Sequence, residues 1–396
     1  MSLSATAGAI KPLLENGLLC ESPSGTIRFS HIQIGGYLAS LAYQEGQPLP
    51  FLQQPYSPLQ RIALRYLAVH GKINPLVMQW LELRDMPLYK NLLMIGRWLS
   101  DCPADIPWRS PVMRQLIQIT QDENQPVHLR ARCLAAVIAS NDNAMAVVLK
   151  QLLESDSAIT RRLAAIAVGA CHQAKMTVHL IKRVDDPEIQ VALAACLSLG
   201  SFNSRRALDT MVDLLNQRVE ELKHAAAETL AQIPEGGEVL RQAAVSDQLL
   251  IRRAAIAGLG QIRSEWSKNL LEKAAIEDAQ WIIRNAATEA LAALNAPPMK
   301  TPRPLPAPDQ SGWLIQYASQ HGKGIIPGVP ATEHLISALQ FGVTQDRIQA
   351  LRYLRTMPDD TVVSAIQAAL DDPSEIVQEA AYDALRQITA MGYEIT

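Results

Sequence analysis

The chain is poor in aromatic residues and in cysteine, and it has no long apolar run. Aromatics make up 5% of its 396 residues, with only four phenylalanines. A core built on large stacked rings is therefore excluded, and smaller side chains must pack closely instead. The five cysteines, Cys20, Cys102, Cys133, Cys171 and Cys196, are odd in number and include no CxxC spacing. Neither a disulfide framework nor a zinc ribbon is encoded, and a reducing compartment fits. The opening MSLSATAGAIKPLLENG has no basic stretch followed by a long apolar run and does not read as a signal peptide. The longest apolar stretches, such as Leu163 to Ala170, are too short to span a bilayer. These readings predict a cytoplasmic protein that does not engage a membrane. The formal charge of -3 gives the whole chain no pull toward nucleic acid or acidic lipid.

Motifs that would carry chemistry are also lacking. The sequence has no GxxxxGK followed by Ser or Thr, no HExxH, no GxSxG and no calcium-loop spacing. Gly322-Lys323-Gly324 and Gly71-Lys72 are too short to cradle a phosphate. His172 and His179 stand seven apart, with no carboxylate or cysteine at ligand spacing to complete a set. Cys133 and Cys196 fall inside helical patterns and read as small hydrophobic residues rather than nucleophiles. No catalytic, cofactor or metal residues are assigned, and the expectation is a protein that is not an enzyme.

What the sequence has in abundance is alanine and leucine, which favour helix and close helix packing. They recur in register. Six segments share an acidic or polar turn, an aliphatic anchor, usually a basic residue next, a small residue at +4 and an aliphatic at +8. The anchors Leu129, Thr160, Val191, Leu222, Ile251 and Ile283 recur every 29–32 residues. The +4 positions are Cys133, Ala164, Ala195, Ala226, Ala255 and Ala287; the +8 positions are Val137, Val168, Leu199, Leu230, Leu259 and Leu291. This spacing puts three residues on one helical face, and a small +4 residue lets a neighbouring helix come close. A unit of this length is a helical hairpin that cannot bury its apolar face alone, so neighbours must stack. Asp371-Asp372-Pro373 with Val377, Gln378, Ala381 and Leu385 repeats the pattern near the C-terminus, after a degenerate unit at 346–357.

The acidic turn Asp185-Asp186-Pro187 followed by an anchor and a basic residue resembles short HEAT-like repeats of the phycobilisome-lyase type. The resemblance covers about residues 122–295 and implies an all-α solenoid of stacked hairpins. Thr160 and Ala192 depart from the pattern, and the fourth repeat has Asn216-Gln217-Arg218 in place of the acidic turn. Farther upstream, residues 13–19 read as a helix ending before Gly17, Ser22 to Gly25 as a turn and Thr26 to Ser30 as a strand, with a further helix to about Gln44: a small winged-helix-like element. Phe29-Ser30-His31 followed by Tyr37-Leu38-Ala39-Ser40 resembles the segment that closes the NTPase module of NACHT-type signal-transduction NTPases, with Gly36 where that family has Glu. There a repeat array often follows, which implies a sensor or partner-binding role for the repeats here.

The expected organisation is a winged-helix-like element at 1–48, degenerate hairpins at 49–121, six repeats at 122–295, a proline-rich linker and irregular loop at 296–330, and C-terminal repeats at 331–396. Four helices are expected in the second segment, at Ser57–Val69, Pro75–Leu83, Leu88–Leu99 and Val112–Ile119. Six prolines between 296 and 310 forbid helix there and favour extended backbone. In the repeats, the basic +1 column (Arg130, Arg161, Lys223, Arg252, Arg284) and the turn residues Asp156, Asp186, Asp247 and Asp278 read as an architectural ladder of caps and ion pairs. Positions +2 and +6 face away from the buried stripe. There Arg162, Ile166, Leu193, Leu197, His224, Glu228 and Arg253 are expected to form one concave patch that binds a protein or peptide partner, since an apolar centre with charges of both signs suits a polypeptide better than a nucleic acid. The alternatives are a HEAT-like enzyme, either a bilin lyase or isomerase relative or a DNA glycosylase, and a pure structural scaffold. Against a glycosylase, Trp281 is placed in a turn and Trp266 in a loop, away from the +2 and +6 columns.

Because no phosphate-cradling loop is encoded, the purified 396-residue chain is expected to hydrolyse no ATP. Calorimetric titration with Mg-ATP checks this: heats at background level are expected, and micromolar affinity would refute it.

Overall fold

The computed structural model describes residues 10–21, 25–42, 58–82, 87–142, 144–217, 219–296, 304–393 and 395. Most of the proline-rich stretch expected to be extended, 297–303, and the turn at 22–24 lie outside the described residues. The fold class is all-α, with HEAT-like hairpins stacked side by side. Among the described residues no helix is long and apolar enough to cross a membrane.

The described part of the N-terminal element begins with a helical stretch at 10–15, which stops before Gly17 in the left-handed conformation (φ 70°). Strands β1 (Leu19–Glu21) and β2 (Ile27–Phe29) pair antiparallel with Leu19 opposite Phe29. Strand β1 has no signal in the sequence, because Leu18-Leu19 continue the apolar pattern of the preceding helix. Helix α1 (Ile32–Ala42) packs against α2 (Pro58–Val69). Their approach is so close that a Cβ on Gly36 would collide with Ile62, and one on Gly35 would lie 2.7 Å from Leu59. Helices α3 (Asn74–Glu82), α4 (Lys90–Gly96), α5 (Arg109–Gln121) and α6 (Val127–Ala139) follow. The helix expected at Leu88–Leu99 is shorter at both ends. Tyr89 is left-handed (φ 49°), and beyond Gly96 the backbone tightens to three-residue steps, Arg97 donating to Met94 and Trp98 to Ile95.

The chain divides into two compact units. One is contiguous apart from residues 120–123 and holds 141–305. The other draws on both ends of the chain: 1–119, 124–140 and 306–396. In the first, five hairpins succeed one another: α7 (Met145–Leu153) with α8 (Ala158–Cys171), α9 (Thr177–Arg183) with α10 (Ile189–Leu199), α11 (Arg205–Leu215) with α12 (Glu220–Gln232), α13 (Gly236–Ala243) with α14 (Leu249–Leu259), and α15 (Glu265–Glu277) with α16 (Trp281–Asn295). The anchor, +4 and +8 residues of α8, α10, α12 and α14 are all buried, as are Ile283 and Ala287 of α16. Leu291 is only half-buried, because α16 is the last helix of this unit and nothing in the unit stacks beyond it.

The five second helices form the tighter layer, each packed along the next, whereas the first helices touch one another sparingly. Small residues permit this. A Cβ on Gly169 would lie 2.8 Å from that of Ser198 on the next second helix, and one on Gly258 would lie 2.7 Å from the carbonyl oxygen of Ala227. Thr229 Oγ1 of α12 donates to the Cys196 carbonyl of α10 at 3.2 Å. We call this closely spaced layer the inner layer, and the residues on its outward phase line its free, inner face.

The +1 column ties these hairpins together. Arg161 grips Asp186 in the next turn through two bonds of 2.9 Å, and its Nη1 also donates to the carbonyls of Ser155 and Asp156 in its own turn. The Asp186 side chain is fully buried. Burial by itself would raise its pKa, but the hydrogen bonds from Arg161 and the Glu188 amide, with the charges of Arg161 and Arg183, hold it below the ordinary carboxylate value. Arg252 repeats the carbonyl caps, with Nη1 on the Ser246 and Asp247 carbonyls, but meets Asp278 only as an ion pair, its Nε 3.3 Å from the carboxylate and without a hydrogen-bond partner among the described residues. Arg284 Nη1 caps Asp278 and Ala279 in the same way. The aspartates five residues before the anchor give carboxylates to the ladder; Asp156 and Asp247, four before it, give backbone carbonyls instead. At the third repeat Ala192 replaces the arginine, and the turn it would reach has Gln217 rather than Asp. In the fourth, Lys223 is buried with Nζ on the Leu215 carbonyl, and burial lowers its pKa.

In the other unit, α17 (Gly312–Gln320), α18 (Thr332–Phe341), α19 (Thr344–Leu354), α20 (Asp360–Ala368) and α21 (Glu375–Ala390) form the C-terminal hairpins. The ladder recurs there as Arg347 with Asp372 at 3.2 Å, and Gln378 takes the capping role on the Asp372 carbonyl. Helix α21 packs on α6, across some 250 residues of sequence. The N-terminus of α6 follows Pro126 and has no side-chain cap of its own; Glu379 of α21 accepts from the amides of Val127 and His128. His128 Nδ1 lies 2.9 Å from Asp383, and Arg132 donates to the hydroxyl of buried Tyr382 at 2.7 Å.

Two predictions follow from the geometry. Arg252→Ala is expected to destabilise by about 1–3 kcal/mol, because it strips two turn carbonyls of their donor, leaves the half-buried Asp278 carboxylate without its ion pair and removes the packed arginine stem. Arg253→Ala, one residue on, is expected to cost within about 0.5 kcal/mol. Urea melts of the two variants check this, and equal losses would refute it. Glu379→Ala is expected to cost about 1–2 kcal/mol, as loss of an N-cap does, with faster hydrogen exchange at the first amides of α6. Unchanged exchange there would show that α21 does not cap α6.

Candidate interaction face

On the inner layer, a residue four positions from another sits within 40° of the same direction. Three positions therefore share the outward phase of each second helix: −2, +2 and +6 from the anchor. The structure brings all seven expected residues to it. On α8, Arg162 is half-buried and Ile166 is 52% exposed; on α10, Leu193 is half-buried and Leu197 is 42% exposed. His224 and Glu228 follow on α12 and Arg253 on α14. Single exposed aliphatics are ordinary; here two exposed ones and half-buried Leu193 share the outward phase of two adjoining helices.

The −2 position carries signals that the +2 and +6 columns do not reveal. Ile189 on α10 is 37% exposed, and Trp281 opens α16 with 68% of its surface exposed. Trp281 is therefore helical and on this face, not in a turn. Trp266 is also helical, within α15, with the guanidinium of Arg241 stacked 4.6 Å from its ring centre. Both were hidden because each stands at the start of its helix, where apolar periodicity has not yet accumulated.

The charges on the face fall into two kinds. Glu220, at −2 on α12, forms an ion pair with Arg253 at 3.1 Å and lies 3.7 Å from His224 Nε2. Glu289 accepts from Asn285 at 2.9 Å. Arg162 and Glu228 have no ion-pair partner among the described residues. Over these positions there are two arginines against three glutamates, so the face has no excess of positive charge for phosphates.

The other candidate residues lie elsewhere. Cys133 and Cys196 are fully buried, and burial pushes both thiols up to about 12, where no nucleophile is available near neutral pH. His172 is the left-handed C-cap of α8 (φ 49°), while His179 lies within α9. An open cleft of about 250 Å³ beside His172 is lined by Thr177, Phe202, Asn203 and Arg206, at the hairpin ends rather than on the inner face.

Comparison with known proteins places the repeats. The family described as HEAT repeats matches residues 177–238 and 234–292. The rat protein Rho family-interacting cell polarization regulator 1 is 23% identical over 127 residues, 31% of this chain. The match spans about a tenth of that relative's length (10%). Among solved structures, human deoxyhypusine hydroxylase in complex with glycerol is similar at 18% identity and a TM-score of 0.32, over 72% of this chain and 99% of its own. The complex of CpcE and CpcF of phycocyanin lyase from Nostoc is similar at 19% identity and a TM-score of 0.31, over 56% of this chain and 94% of its own.

Proposed function

We propose that this chain is a non-enzymatic interaction array whose inner face, on α8 to α14, holds a partner polypeptide. One observation carries the reading. Ile166, Leu193 and Leu197 share an outward phase that the array does not need for its own packing, and they are bordered by charges of both signs. A stacked-hairpin scaffold is free to fill such positions with Glu, Lys or Ala, which keep it soluble. An apolar centre with a polar rim is the composition of a protein-binding surface. The enzyme alternative lacks support of this kind, since the face presents no nucleophile and no carboxylate pair. Nucleic acid is disfavoured by the excess of glutamate over arginine.

A finer placing, as the sensor or partner-binding region of a NACHT-type signalling protein, rests on Phe29-Ser30-His31 and Tyr37-Leu38-Ala39-Ser40. The close packing at Gly36 gives a reason for its departure from that family's Glu, because no side chain fits against Ile62 there. A P-loop NTPase module in the same reading frame would support this placing; its absence from the full frame would end it.

Leu193→Glu combined with Leu197→Glu is expected to abolish partner capture while shifting the thermal melt little. Affinity capture with mass spectrometry, beside hydrogen exchange on α8 and α10, checks the outcome. If the variant unfolds, these leucines belong to the core. If it folds and keeps every partner of the parent, the face is not the site.

A further inference from the structure

We propose that the segment held by this face has an aliphatic stretch bounded by an acidic residue on one side and a basic residue on the other, the acid meeting Arg162 and the base meeting Glu228. The inference rests on the binding role proposed above and specifies its ligand.

The argument turns on which charges are already engaged. Glu220 is shared between Arg253 and His224, and Glu289 is engaged by Asn285. Opening these contacts to bind a ligand would forfeit what they already gain. Arg162 and Glu228 have no such engagement among the described residues, and they lie on opposite sides of α10, the helix that contributes Leu193 and Leu197. From Arg162 at +2 on α8 to Glu228 at +6 on α12 the path crosses α10 between Leu193 and Leu197, with Ile166 one turn along α8 from Arg162. The face therefore reads, in order, positive, aliphatic, negative. A ligand of complementary order desolvates the aliphatics and places each of its charges against an opposite one, which fixes register and rejects other segments.

Spacing gives the ligand a scale. Packed helices lie 8–10 Å apart, so two steps from α8 to α12 cover roughly 20 Å. An extended segment covers that in about six residues. Chain direction is left open by this geometry, because a segment reading acid-to-base from its N-terminus and one reading base-to-acid can both satisfy it in opposite directions.

The test is peptide selection from a random displayed library on the immobilised 396-residue chain, in parallel with Arg162→Glu, Glu228→Lys and the Leu193→Glu/Leu197→Glu variant. The parent is expected to enrich peptides with aliphatics flanked by one acid and one base about six residues apart. Arg162→Glu should enrich peptides with bases on both flanks, and Glu228→Lys peptides with acids on both. A peptide selected on the parent should bind either charge variant about three- to tenfold more weakly. Flanking charges that do not follow the protein's charges overturn the assignment of Arg162 and Glu228 while leaving the face as the site. Failure to enrich any peptide on the parent, or enrichment of the same peptides by the double leucine variant, overturns the binding role of the face as well.

Discussion

The grip of one arginine on two turns is the constraint on which the array depends. Arg161 closes the carbonyls of its own turn and reaches the buried Asp186 of the next, so three pieces of chain are fixed by one planar side chain. Its value lies more in register than in net stability. Burying two charges costs several kcal/mol each, and their attraction returns this only with good geometry and every hydrogen bond made. Here the geometry is bidentate, and the remaining oxygen valences go to Arg183 and the Glu188 amide. An ion pair stands in the same place at Arg252–Asp278 and Arg347–Asp372, without the bidentate hydrogen bonding: the buried Nε of each arginine has no hydrogen-bond partner among the described residues. Where the arginine is absent, at Ala192, the carboxylate it would meet is absent too, and neither charge is stranded. At that joint the Thr229 hydroxyl donates to the Cys196 carbonyl, and Gly200 leaves room for the side chains of Thr229 and Gln232.

Ladder and small residues together decide what the array can present. With register set at the turns, glycine and alanine let the second helices close up into an inner layer. The residues that pack this layer are on the anchor, +4 and +8 phase, which leaves the opposite phase largely to solvent. Exposed aliphatics there cost solubility and bury little within the array, and this makes Ile166 and Leu197, with half-buried Leu193 between them, informative where a buried leucine would not be. The charge pattern then separates residues that serve the array, such as Glu220 with Arg253, from those left for a ligand.

The phase of the helices was legible in the sequence because it is a local property. A period of 3.6 puts anchor, +4 and +8 together whatever the tertiary setting, so the buried columns, the outward columns and the architectural role of the arginines could all be read from spacing. Spacing was less informative where two positions compete for one role. It did not separate Asp186 and Asp278, whose carboxylates join the ladder, from Asp156 and Asp247, whose backbone does. The carbonyls accept from the arginine of their own repeat, whereas a carboxylate meets the arginine of the preceding one, and that meeting is set by how the hairpins stack.

Other features are not written in any local pattern. Helix α21 returns to cap α6 through Glu379, and one compact unit is made from both ends of the chain. Nothing near Glu379 distinguishes it from a solvated glutamate, because its partners are two backbone amides some 250 residues away. Trp281 likewise looked like a turn residue until the helix start was fixed. The sequence by itself determined which side of each helix is buried, since that follows from helical periodicity and the size of the side chains. Only the tertiary structure decided which hairpins meet and which charges find partners, since those contacts depend on where a long chain returns in space.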